Sequence, residues 1–326
     1  MSRSALDFAR RTLVAGTFAI AAALNACSSD ASSPVAPEAS ASSAKGGGGK
    51  PGSAESVLFA GASFDRSPEI YSMNPDGSNV RRLTNDSTTF KAEPDFAPGN
   101  RKFVFVRSTG GISSELWTAN ADGSKQTQLT SLETRVYQPR YSPDGSKIAF
   151  VADVEFDSEI FVINADGTGL LQITYEPGEN NSPIWTPDGA RITFESSRGG
   201  SQSIYSMTAG GLDVKLLLDC TGFGCRQPAY SPDGTKIAVA TNNDSNLLVF
   251  QIGQNVIQSV GPQVTGSRSS HPTWTKDGTR VLFDSNRGIE GTRELYVGTP
   301  GDLDPTSIRR LTLFSPGEAR TPSYSH

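Results

Sequence analysis

Few residues in this chain could do chemistry. The two histidines, His271 and His326, cannot supply a three-histidine metal centre. A Ser/His/Asp triad would have to use His271. Of the three cysteines, Cys220 and Cys225 flank the short segment Thr221-Gly222-Phe223-Gly224. In an exported protein such an even pair points to a disulfide, and its glycines permit the tight loop. Zinc at these thiols would need two more ligands, and only His271 is at hand. Turns such as Asn164-Ala165-Asp166-Gly167 begin like a calcium loop but lack the later glutamate that completes coordination. Neither a Gly-x-Ser-x-Gly elbow nor a His-Glu-x-x-His pair occurs. Gly49-Lys50 is followed by Pro51 where a phosphate loop needs Ser or Thr. No cofactor and no metal is expected. With 29 Lys plus Arg against 34 Asp plus Glu, and no dense basic block past the first dozen residues, nucleic acid is a poor partner.

The elements that would position these residues come from a repeat. One phrase recurs as Pro139-Arg140-Tyr141-Ser142-Pro143-Asp144-Gly145, Pro183 to Gly189, Pro228 to Gly234 and Pro272 to Gly278. A degenerate copy starts at Pro94, and a last one starts at Pro322 where the chain stops. The leading prolines are spaced by 45, 44, 45, 44 and 50 residues. Each phrase reads as strand, Pro-Asp-Gly turn and strand. A third strand follows, such as Glu159 to Ile163, then an Asp-Gly turn and a short fourth strand ending in patterns like Arg82-Leu83-Thr84. Four antiparallel strands per repeat make a β-propeller blade.

The folded region opens at Val57-Leu58-Phe59-Ala60, which matches a second strand. The incomplete units at the two ends therefore complete one blade, and residues 57–326 average 45 residues over six blades. The expected fold is all-β: a six-bladed propeller closed by pairing the C-terminal strand with the N-terminal three. A leading proline suits the innermost strand, whose free edge faces the channel. The aromatics Phe96, Tyr141, Trp185, Tyr230, Trp274 and Tyr324 share one register and are expected to pack between blades, with a ligand cage as the sharper alternative. The residues directly before the prolines, Glu93, Gln138, Ser182, Gln227, His271 and Thr321, should form a polar ring near one channel mouth, with Asp95 and Arg140 close by. That ring is the expected binding site.

Ahead of the repeats, Arg3, Arg10 and Arg11 precede an uncharged run from Leu13 to Leu24. Roughly a dozen apolar residues fall short of a membrane span and suit a signal peptide over residues 1–26. Leu24-Asn25-Ala26-Cys27 resembles the lipobox of bacterial lipoproteins, which implies a lipid anchor on Cys27. Ser28 and Ser29 after it resemble sorting to the outer membrane. The Ser/Ala/Pro/Gly-rich remainder of residues 27–56 has too few large apolar side chains to fold and reads as a tether with a reach on the order of 30 Å.

The phrase Pro-x-Trp-Ser-Pro-Asp-Gly followed by Lys/Arg-Ile-x-Phe resembles the repeat of the TolB-like β-propeller family, and the resemblance covers residues 57–326. TolB itself carries a further α/β domain ahead of its propeller; here the anchor and tether occupy that place. The expected protein is a monomeric, exported, lipid-anchored scaffold in the bacterial periplasm. It would touch the membrane through its lipid alone and bind a protein or peptide at the cell envelope without catalysis. The alternative is a propeller enzyme acting on carbohydrate or peptide, which would need two carboxylates converging at the channel mouth.

Overall fold

The structure is a computed structural model. It describes residues 55–325, apart from 64–66, 87, 109–110, 177, 243–246, 255, 263, 265, 289–291 and 315–316. Cys27, the expected signal peptide and almost all of the tether therefore lie outside the described residues. Among the described residues, twenty-four strands form six antiparallel sheets of four strands each. Among the described residues the helical structure is one 3-10 turn, Pro305–Ser307, capped by the Asp304 carboxylate. No helix there is long and apolar enough to cross a membrane.

The innermost strands are Phe90–Phe96, Val136–Tyr141, Asn180–Trp185, Cys225–Tyr230, Ser269–Trp274 and Gly317–Tyr324. Each contains its leading proline, which names its blade below. Ring closure follows the sequence expectation. Gly317–Tyr324 pairs antiparallel with Val57–Ser63, with Val57 opposite Tyr324 and Leu58 opposite Ser323. Ser325 N–H also donates to Ser56 C=O at 2.9 Å.

Strand alternation sends one set of apolar side chains toward each neighbouring blade, so the core is divided among the blade interfaces. Val104, Val106 and Leu116 of the Pro94 blade meet Val136, Ile148 and Phe150 of the Pro139 blade. At the closure, Leu282, Leu295 and Val297 meet Val57, Phe59, Met73 and Tyr324. All of these are at most 6% exposed. Burying that apolar surface holds the termini together, since each fully buried large side chain contributes about 1.5–3 kcal/mol.

Two features go beyond the sequence reading. In four blades the fourth strand is only two residues long, and a Glu–Thr clamp continues where it stops. Thr84 Oγ1 accepts from Ile70 N–H at 2.9 Å and donates to Glu69, while Glu69 Oε1 accepts from Asp86 N–H at 2.7 Å. Glu115 with Thr130, Glu159 with Thr174, and Glu294 with Thr312 repeat it.

In two interfaces the residue three before the leading proline meets the clamp of the blade before it. Lys91 Nζ, fully buried, lies 3.2 Å from Glu69, and Asn180 Nδ2 donates to Glu159 at 3.2 Å. The same register holds Cys225, bonded to Cys220 with a Cα separation of 5.6 Å. This disulfide joins the outer end of the Pro183 blade to the innermost strand of the Pro228 blade. It occupies the place of an ion pair in one interface and of a hydrogen bond in another.

Candidate functional site

The channel is built from the six innermost strands, and the leading prolines impose its shape. A proline disfavours the right-handed helical region for the residue before it. Here that residue turns left-handed: φ is 52° at Glu93, 54° at Gln138, 50° at Ser182, 52° at Gln227, 50° at His271 and 51° at Thr321. Register shifts at these positions mark a β-bulge in the five internal blades. Such conformations cost on the order of 1 kcal/mol or more each and persist where the surroundings compensate.

The compensation is a set of hydrogen bonds running from blade to blade. Gln138 N–H donates to Glu93 Oε2 at 2.5 Å, and Ser182 N–H to Gln138 Oε1 at 2.7 Å. Ser182 is too short to continue the pattern, and Gln227 N–H donates instead to Glu195 at 2.7 Å. His271 N–H then donates to Gln227 Oε1 at 2.9 Å, and Thr321 N–H reaches Asp284 at 3.3 Å. All six residues of the ring are buried or half-buried.

The charged groups behind the ring are equally occupied. Asp284, fully buried, contacts His271 Nδ1 at 2.6 Å and also pairs with Arg293. Burial pushes its carboxyl up, but the His271 and Arg293 charges outweigh this and hold it below the usual carboxylate range. His271 Nε2 meets the Gln227 amide nitrogen at 3.0 Å, so both ring nitrogens have partners. Burial pushes the Glu195 carboxyl up to about 7, although the Gln227 N–H, the Ser182 side chain and the Arg226 charge each pull it back.

The open space lies at the other end of the same strands. A cavity of about 460 Å³ is walled by Tyr141, Trp185, Tyr230, Trp274 and Tyr324, one aromatic from each of five blades. These side chains also pack between blades, as the repeat suggested. Trp185 Nε1 donates to Arg140 C=O at 3.1 Å and Trp274 Nε1 to Ala229 C=O at 3.0 Å, each onto the preceding innermost strand. Burial pushes the Tyr141 hydroxyl up to about 12 and raises that of Tyr230 as well, so these phenols stay protonated.

The rim is made by the turn prolines Pro98, Pro143, Pro187 and Pro232. Each touches the positive-φ glycine of the next blade's turn; a Cβ at Gly145 would lie 3.3 Å from Pro98, and one at Gly234 3.4 Å from Pro187. Lys276 stands where the next proline would be.

Arg140 lies where the cavity narrows into a space of about 20 Å³ bounded by Gln138, Ser182, Gln227 and His271. Asp95 is the acidic residue among the described residues that line the wide part, and its oxygens accept from Tyr141 N–H at 2.8 Å and Ser323 Oγ at 3.0 Å. Of the ring residues expected to bind, Gln138, Ser182, Gln227 and His271 thus bound the narrow floor, while Glu93 and Thr321 line neither space. The aromatics form the wall, at the shared register where a ligand cage was the alternative expectation.

Among the described residues no group of three or more His, Cys, Asp or Glu could hold a metal ion. The Asp-Gly turns use their carboxylates locally: Asp166 accepts from Thr168 N–H at 2.9 Å, and Asp122 from Ser124 N–H at 2.9 Å.

Comparison with known proteins agrees with this architecture. Residues 69–219 match the family model described as the TolB beta propeller domain. An uncharacterized protein of Agrobacterium fabrum is 32% identical over 84 residues, which span 26% of this chain and 28% of that protein. Among solved structures, TolB from Acinetobacter baumannii superposes with a TM-score of 0.70 at 20% identity, over 83% of this chain and 66% of that one. A hydrazine synthase chain from Kuenenia stuttgartiensis gives a TM-score of 0.68 at 17% identity, over 84% and 47%. At these identities the structural likeness concerns the fold.

Proposed function

We infer that this chain, a TolB-like β-propeller, is a non-enzymatic scaffold that binds a protein segment or peptide in the aromatic mouth of its channel. One observation carries the reading: five blades each contribute an aromatic side chain to a single cavity of about 460 Å³. That volume falls within the range of sites that enclose a ligand, which are mostly apolar with a few placed polar groups. The cavity's acidic residue has both oxygens engaged inside the fold. This favours binding over a hydrolysis that needs two free carboxylates.

The sequence ahead of the propeller supports an exported protein lipidated at Cys27 and held at the outer membrane facing the periplasm, where the partner would be another envelope protein. The chain is read as a monomer.

The test is direct. A photo-reactive benzoylphenylalanine placed at Tyr230 in intact cells should crosslink one defined partner, and Trp185→Ala should abolish the product. Crosslinking that ignores Trp185→Ala would refute the site. Fatty-acid labelling compared with Cys27→Ser checks the anchor separately, and equal incorporation in both would refute it.

A further inference from the structure

Resting on that reading, we propose that the mouth receives a peptide end-on, its C-terminal carboxylate held by Arg140. The shape argues for a chain end. Below the aromatic wall the channel contracts from about 460 Å³ to a polar space of about 20 Å³. The smaller space is of the size that holds a water molecule and admits no continuing backbone. A chain entering from the mouth therefore stops at Arg140.

The charges select which end. Arg140 Nη1 donates to its own Pro139 C=O at 2.8 Å, and no carboxylate of a described residue pairs with the guanidinium. A guanidinium carries five N–H donors in a planar fork that matches a carboxylate with two parallel hydrogen bonds. Lys276 adds a second cation at the exposed rim.

Against these stands a single anion among the described lining residues, Asp95, whose oxygens accept from Tyr141 N–H and Ser323 Oγ. An amino terminus would meet two cations against that one carboxylate, whereas a carboxylate meets a guanidinium that no carboxylate of a described residue pairs with. The walls add grip without reading main-chain polarity, because both cavity tryptophans spend their N–H groups on backbone oxygens and offer ring faces.

The experiment uses the full-length protein and two synthetic pools of random hexapeptides, one with free C-terminal carboxylates and one amidated. Recovered sequences are then remade in both forms and titrated by calorimetry. The expected result is recovery from the free pool, with at least tenfold weaker binding after amidation. Arg140→Gln should erase that difference and Arg140→Lys should keep part of it, both with an unfolding midpoint near that of the wild type.

Equal binding of both forms, still abolished by Trp185→Ala, would overturn the carboxylate assignment and leave the scaffold reading standing. Amidated peptides held through an internal Asp or Glu at Arg140 would overturn the end-on arrangement. Recovery of nothing from either pool would count against scaffold and carboxylate alike. Binding of trigalacturonate with the same Arg140 dependence, in place of peptides, would assign the site to acidic sugars and overturn the proposal.

Discussion

Two rings of side chains sit three residues apart on the same six strands and behave in opposite ways. The ring before the leading prolines is polar and left-handed in backbone conformation, and its Glu93, Gln138 and Gln227 side chains are spent on N–H groups of the next blade. The ring two residues after the prolines is aromatic and packed on its neighbours, and five of its six members still face an open cavity. Polar character is thus a poor guide to availability in this channel. Each bulge exposes a backbone N–H, and a polar side chain from the blade before must satisfy it. An aromatic side chain has more than one face, so it can seal a blade interface and still present a surface to the channel.

The comparison can be broken from either side. The largest effect is expected where the polar ring is anchored. Asp284→Ala leaves His271 and Arg293 without their shared carboxylate in a buried setting, which should cost about 3–5 kcal/mol of unfolding free energy in urea titrations. A loss under 1 kcal/mol would mean that the ring does not hold the blades together.

Next comes Glu195, whose folded pKa is raised toward about 7 by burial. A carboxyl raised on folding contributes stability fully below its unfolded pKa of about 4.3, and that contribution is lost as pH climbs to the folded value. Wild type should therefore lose roughly 3 kcal/mol relative to Glu195→Gln between pH 4 and pH 7. Denaturation curves at the two pH values check this, and parallel behaviour of the two proteins would contradict it.

The aromatic ring should respond in binding. Trp185→Ala should weaken a selected peptide by about 2 kcal/mol, roughly thirtyfold, as for a buried interface aromatic. Gln138→Ala, on the polar ring, should change peptide affinity by less than threefold while lowering stability. The reverse pattern would exchange the roles of the two rings. Replacing both Cys220 and Cys225 by Ser opens a very short loop and should cost about 2 kcal/mol by the loop-entropy estimate. Lys91→Met, at the same register in another interface, compares the covalent seal with its ionic counterpart beside Glu69.

The blade count, the closure of Tyr324 against Val57 and the turn chemistry were legible in the sequence, because a constant repeat fixes the register of every strand at once. The bulge was not. A residue before proline reads as extended, and only the assembled channel shows Glu93 and Gln138 turned left-handed to reach their neighbours. The Glu–Thr clamp escaped notice for a similar reason. Thr84, Thr130 and Thr174 read as ends of strands, whereas they act through side chains beyond the point where pairing has stopped. An aromatic cage was legible only as an alternative, because the aromatics' packing role already accounted for their spacing.

The most direct test of the account uses the three tryptophans as reporters. Trp185 and Trp274 wall the cavity, while Trp117 lies on the third strand of the Pro94 blade beneath Arg107, whose guanidinium carbon is 4.4 Å from its ring centre. Fluorine NMR of protein labelled with 5-fluorotryptophan, titrated with a selected peptide, should shift the Trp185 and Trp274 resonances and leave that of Trp117 in place. Saturable binding that moves Trp117 alone, or none of the three, would show that the aromatic mouth is not where this propeller takes its partner.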